Sequence, residues 1–193
     1  MNNAPLSSHK NALDSSLSDI NTQPQIYVNG SPVSNLPDVQ NTQFTKLHEL
    51  ARFNINNANF GLGLVNFDKC IEYLIDHIDG GLNSPVTQDF LSQTVSYLNE
   101  IALSLLKTDK PHDSLRILEK CKEYTHPDRY GNHPKLRSLT YNHIGCCYRR
   151  LGNLEKALYY LQKVLQFVQG KDRVEILGIT YINLCAVLSQ MNK

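Results

Sequence analysis

Residues 141–165, YNHIGCCYRRLGNLEKALYYLQKVL, place Tyr141, Ile144, Tyr148 and Leu151 at steps of three, four and three. That is the period of one apolar stripe on an α-helix. Gly152 and Asn153 then turn the chain, and Leu154, Ala157, Leu158, Leu161, Val164, Leu165 and Val168 make a returning stripe. Two small residues, Gly145 and Ala157, interrupt the large ones on either side of the turn. A branched side chain would hold two closely crossing helices apart, so both positions are expected to face the partner helix. Ala157→Leu should overpack that contact and cost about 1–3 kcal/mol.

The flanking sequence continues in the same manner. Pro134 opens the first of these helices, and Gly170 is expected to cap the second. Upstream, Ser84 and Pro85 form a cap and first-turn pair, and Phe90, Val95, Leu98, Ile101, Ala102 and Leu105 keep to one helical stripe. Pro111 restarts the chain, Leu115, Leu118 and Cys121 continue a shorter helix, and THPDRYGNHP (125–134) reads as a loop. Downstream, Asp172 and Glu175 resemble a capping box before a helix carrying Val174, Leu177, Tyr181, Leu184 and Leu188. No stretch gives the alternation of a sheet protein, so the fold class is all-α.

The hairpin repeats. Leu98, Ile101, Ala102, Leu105, Ser114, Leu115, Leu118 and Cys121 fall on Tyr141, Ile144, Gly145, Tyr148, Ala157, Leu158, Leu161 and Val164 at an offset of 43. Tyr181, Leu184, Cys185 and Leu188 match Tyr141, Ile144, Gly145 and Tyr148 at an offset of 40. Backward, NFDKCIEYL (66–74) matches NLEKALYYL (153–161), placing Cys70 on Ala157 at an offset of 87, with Asn54 and Asn57 in slots that are apolar elsewhere. A fixed period of this length marks a repeat architecture. The pattern resembles the tetratricopeptide repeat in a lengthened form, with Gln169 where that family's closing proline usually stands.

The resemblance implies a right-handed alpha solenoid of helix-turn-helix hairpins over 43–193, with units at about 44–80, 84–124, 134–170 and an incomplete one at 172–193. Leu98, Ala102, Tyr141, Gly145, Tyr148, Ala157, Leu161, Tyr181 and Cys185 would be its structural positions. The first helix of each hairpin, helix A, would line a concave groove through Asn99, Leu103, Asn142, His143, Cys146, Arg149, Arg150, Asn183 and Ala186. There an asparagine can bond an extended segment and paired arginines suit carboxylates; alternatively, Arg149 and Arg150 are simply cations solvated at a helix end. Some family members hold the C-terminal carboxylate of chaperones through basic and asparagine side chains. Here Leu103, His143 and Ile179 occupy places where that set needs polar or basic groups, which argues against such a clamp.

Residues 1–42 are crowded with Asn, Ser, Gln, Asp and Pro and read as a disordered arm; the IYV of 26–28 could pair as a strand but reads first as an isolated apolar cluster. Nineteen Lys and Arg against eighteen Asp and Glu leave no electrostatic footprint of a nucleic-acid binder. Five cysteines within apolar helical patterns, and an N-terminus without secretory or transit character, point to reduced thiols and a cytoplasmic setting. The ending YINLCAVLSQ is similar to lengthened repeats of protist proteins, some associated with cilia. No window is expected to be long and apolar enough to span a membrane.

Little chemistry is legible. Adjacent Cys146 and Cys147 point in different directions on a helix and read as packing. His126 and His133 near Cys121 could form one corner of a metal site, but no second cysteine or carboxylate stands at ligand spacing, so they read as solvated loop residues. GLGLV (61–65) has no strand before it and reads as a turn in the first hairpin. No nucleophile triad, HExxH or phosphate loop is present, so neither catalysis nor a cofactor or metal is expected.

The last helix is apolar on both sides, through Ile176, Ile179, Ile182, Ala186 and Val187 as well as its stripe. A terminal solenoid helix should present a polar outer face. The expectation is that further repeats or another chain cover this edge. The sequence therefore reads as a non-catalytic scaffold binding a partner peptide or helix. The alternatives are a regulatory or targeting segment of a larger enzyme and, through the histidine-bearing loop, a small metal-binding regulator.

Overall fold

The computed structural model describes residues 27–28, 31–32, 38–168 and 173–192, with side chains over 42–168 and 174–192. Most of the 1–42 arm, the Gly170 cap and Asp172 of the expected capping box lie outside them. Within the arm, β1 (Tyr27–Val28) pairs antiparallel with β2 (Ser31–Pro32), Tyr27 opposite Pro32, in a unit of its own over 1–35. Part of the IYV cluster is thus a strand residue pair.

The rest is helical. In order come α1 (Asp38–Asn56), α2 (Phe60–His77), a 3-10 turn (Gly81–Asn83), α3 (Pro85–Lys107), α4 (Pro111–Tyr124), α5 (Pro127–Tyr130), α6 (Pro134–Arg150), α7 (Leu154–Phe167) and α8 (Arg173–Met191). α1 pairs with α2, α3 with α4 and α6 with α7, and each hairpin packs on the next, with α8 against α6 and α7. From Asp38 onward the described residues form an all-helical stack of tetratricopeptide-like hairpins.

The same device closes each hairpin. Its turn holds one residue at positive φ, Ala58 (61°), Asp109 (57°) or Gly152 (75°). The next amide then reaches back to the last helical turn: Asn59 to Asn54 O, Lys110 to Leu105 O and Asn153 to Tyr148 O, at 2.8–2.9 Å. These are left-handed C-terminal caps, which satisfy carbonyls that a helix end otherwise strands.

Past the turn, small residues let the helices meet. A Cβ on Gly145 would lie 2.7 Å from Leu161 Cγ and 3.4 Å from Ala157 O, and Ala157 itself is fully buried. In the middle hairpin the pair is Ala102 and Ser114, whose hydroxyl donates to Ala102 O at 2.8 Å. In the first hairpin it is Ala51 and Gly63, where a Cβ would stand 3.0 Å from Ala51 O and 2.7 Å from Ile55 Cγ1. The first unit is therefore in register with the third at an offset of 94 rather than 87, with the two small residue types exchanged. Two readings are corrected by this. Gly63, not Cys70, takes the place of Ala157, and GLGLV is helical, the turn being Asn57–Asn59.

Three further elements differ from expectation. The 125–134 loop contains the helical turn α5 and is fastened to α3: Gln88 Nε2 donates to Leu82 O and Tyr130 O, and its Oε1 accepts from His133 Nε2 at 2.9 Å. Ser84 precedes α3 without a side-chain capping bond. α8 buries Thr180, Leu184 and Val187 and leaves Tyr181 and Cys185 exposed, although both stand in slots that are buried or half-buried in α6. The reason is local, since α8 has no described helix on that side. Val174–Met191, mean hydropathy 1.4, is also long and apolar enough to cross a membrane by length and composition, contrary to the sequence expectation.

Candidate partner-binding groove

Helix A of each unit, α1, α3, α6 and α8, lies beside the next, and asparagines key the α3–α6 and α6–α8 seams. Asn99 Nδ2 donates to Thr140 Oγ1 at 2.9 Å, and Asn142 Nδ2 donates to Thr180 Oγ1 at 2.9 Å. The other end of each carboxamide is used equally regularly. Asn99 Oδ1 accepts from His143 Nδ1 at 3.1 Å, and Asn142 Oδ1 accepts from Asn183 Nδ2 at 3.3 Å. One buried amide thus grips two side chains of the following helix, and the grip is repeated. A buried carboxamide tolerates its site only when so satisfied.

Of the residues expected along the groove, Asn99 and Asn142 are therefore buried, with their polar atoms spent between helices rather than turned to a guest. His143 and Asn183 are half-buried and complete the same grips. Burial lowers the His143 pKa to about 4, so the imidazole is neutral and donates through Nδ1. Cys146 is half-buried; burial pushes its thiol up, and the Arg149 and Arg150 guanidiniums pull it part of the way back. Arg150 bonds Asp109 Oδ1 in the neighbouring hairpin turn at 3.1 Å. Arg149 is half-buried, and its Nε finds no hydrogen-bond partner among the described residues.

The seam between α1 and α3 is different. The slots of asparagine and threonine hold His48 and Tyr97, and instead of a bonded pair there is a small pocket lined by His48, Arg52, Phe67, Phe90, Gln93 and Tyr97. The Arg52 guanidinium lies 4.2 Å from the centre of the Tyr97 ring, whose hydroxyl donates to Asn56 Oδ1 at 2.8 Å. His48 sits among Phe44, Phe67 and Phe90; burial, with Arg52 beside it, holds its pKa below the usual range. Sequence reading missed this pocket because the register error in the first hairpin hid the equivalence of Arg52 with Cys146, an offset of 94.

The histidine-bearing loop is committed elsewhere. His133 is held by Gln88, and His126 Nδ1 lies 3.8 Å from Asp128. Among the described residues no three His, Cys, Asp or Glu side chains converge as a metal set. All five cysteines are free, and burial pushes the Cys70 thiol up to about 12 and Cys147 up to about 11.

Residues 138–169, which hold the second half of α6, the turn and α7, match the family model of the tetratricopeptide repeat. The chain carries a tetratricopeptide repeat. The TPR2AB domain of yeast Sti1, solved as a complex with pHsp90, is similar at 18% identity over 78% of this chain, with a TM-score of 0.43. This chain spans 48% of that one. The N-terminal domain of stress-induced protein-1 (STI-1) from C. elegans is similar at 15% identity over 74% of this chain and 98% of that one, with a TM-score of 0.41. None of the curated proteins matches. The tetratricopeptide match falls on the hairpin whose small pair is Gly145 and Ala157, where spacing and packing agree most closely.

Proposed function

We propose that the chain is a non-catalytic scaffold that holds a segment of a protein partner along its A helices. The observation that carries this reading is the pair of asparagine grips, Asn99–Thr140 and Asn142–Thr180. They fix successive A helices in register, so that side chains from separate repeats present one preorganised surface, which lowers the entropy cost of binding an extended segment. Polar groups suited to a peptide stand on it at two places. One is the pocket of His48, Arg52, Gln93 and Tyr97; the other is Cys146 with Arg149, whose buried Nε would gain an acceptor from a bound carbonyl or carboxylate.

Affinity capture with the native chain beside an Arg149→Glu, Arg150→Glu variant and an Arg52→Glu variant tests the reading. Partners lost from either variant, with unchanged helical circular dichroism, support it. Identical recovery from all three chains moves the binding surface elsewhere. The second reading, a regulatory or targeting segment of a larger enzyme, would use the same groove; a catalytic polypeptide continuous with this chain would favour it.

A further inference from the structure

The pocket between α1 and α3 holds polar groups that the fold leaves unused. Thr94 lines it at 3% exposure, and its hydroxyl makes no hydrogen bond among the described residues. The buried hydroxyls of Thr140 and Thr180, in contrast, accept from Asn99 and Asn142. His48 is likewise without a hydrogen bond among the described residues, its ring set against Phe44, Phe67 and Phe90. Arg52 forms no ion pair among them. It lies instead on the Tyr97 ring, which Asn56 holds through the phenol hydroxyl. The guanidinium is thus positioned in advance with its N–H groups free.

These three groups offer mainly donors. Arg52 only donates, His48, whose burial favours the neutral ring, has one N–H, and the Thr94 hydroxyl can turn either way. A head with two acceptor oxygens satisfies all of them, one oxygen at the guanidinium and the other at the imidazole and hydroxyl. A carboxylate is such a head. Arg52 repels a cation that the aromatic walls would otherwise attract. The cavity measures about 30 Å³, and its walls of Phe67, Phe90 and Tyr97 suit a carboxylate on an unbranched stem. A chain terminus, branched at Cα and carrying its amide, is broader than that. We propose that this pocket anchors the side-chain carboxylate of a single aspartate or glutamate in an extended partner segment. The proposal rests on the groove reading and gives the partner a chemistry. A run of acids would be repelled, because Glu49 and Glu100 stand exposed on the same two helices, while Asp89 accepts from Gln93 Nε2. Leu103, 37% exposed, fills on α3 the slot that Arg52 fills on α1. Neighbouring helices lie about 8–10 Å apart and an extended chain advances about 3.3 Å per residue, so an apolar residue about three positions from the acid reaches Leu103.

NMR titration of the full chain with the peptide Leu-Ser-Ser-Asp-Ser-Ser-Leu, acetylated and amidated at its ends, tests it. Leucine on both sides serves either chain direction. The expected result is saturable shifts of the Arg52 Nε–H and His48 ring signals, with binding at least about tenfold weaker when Asn replaces the Asp of the peptide, and weaker again by about that factor in an Arg52→Gln chain. Should Arg52→Gln fail to fold, the two peptides on the native chain decide alone. The Asn peptide with a free C-terminal carboxylate should bind no better than its amidated form. If it matches the Asp peptide at the same two signals, the pocket takes chain termini and the proposal is overturned. Equal binding of the Asp and Asn peptides, or no shift at Arg52 and His48, overturns it as well. When such a failure accompanies partners lost from the Arg149→Glu, Arg150→Glu chain, the groove reading survives; when capture is unchanged too, both fall.

Discussion

Asn142 donates its carboxamide N–H to Thr180 Oγ1 at 2.9 Å, and both side chains are buried. Asn142→Ala leaves the Thr180 and Asn183 groups short of a partner, so it should cost about 1–3 kcal/mol. The loss should be local. Hydrogen exchange should show α8 amides losing protection far more than those of α3 or α4, because repeats are stabilised by nearest neighbours.

Two of the helical glycines, Gly145 and Gly178, should respond to alanine with opposite signs. At Gly145 a Cβ lands 2.7 Å from Leu161 Cγ, a branch point in a fully buried side chain, and the strain should outweigh the helix-propensity gain, for a net loss of about 1 kcal/mol. At Gly178 the space is open, and alanine should stabilise by up to about 1 kcal/mol. Urea melts of both variants beside the native chain would check the signs. Ala157→Leu belongs with the first case, at a loss of about 1–3 kcal/mol.

Ala58 holds φ at 61° in the first hairpin turn, where Gly152 serves in the third. An alanine in the left-handed region costs about 1–2 kcal/mol, so Ala58→Gly should raise stability by about 1 kcal/mol despite glycine's greater freedom when unfolded. An unchanged or lower denaturation midpoint would mean that the turn is not under strain.

His143 makes stability fall with acid. Its pKa is lowered to about 4 by burial, while the unfolded chain takes up the proton near the ordinary histidine value of 6.5. Its contribution is therefore complete above pH 6.5 and is lost as pH falls from there towards 4, with a slope of up to about 1.4 kcal/mol per pH unit. His48 and His133 are shifted down as well and act in the same direction. His143→Asn should flatten part of this slope and still fold, since Asn183 already fills the equivalent slot of the next unit and donates to Asn142 Oδ1. Chemical denaturation at several pH values would read both effects.

The third hairpin was legible because large residues at helical spacing and two small ones cannot satisfy any other arrangement. The first was misread for a definite reason. Its turn, Asn57–Asn59, lacks glycine, and Gly63, which looks like turn material, serves instead to let α1 approach. A glycine signals either a bend or a close contact, and only the partner helix distinguishes them. The resemblance places Asn99 and Asn142 on the groove because they stand on helix A; only the neighbouring helix, which supplies their bonds, shows that they are buried. The buried side of α8 was illegible because apolar residues encircle it, leaving the choice to Asn142 and α7.

Gln88 has a consequence for the uneven spacing of the units. Its amide spans from Leu82 O to Tyr130 O, its oxygen takes His133 Nε2, and a Cβ on Gly131, at φ 93°, would strike that oxygen at 2.7 Å. The extra residues between α4 and α6 are therefore a gauged spacer and not slack. Adding or deleting one residue there would detune the pitch of everything that follows, while leaving each hairpin intact.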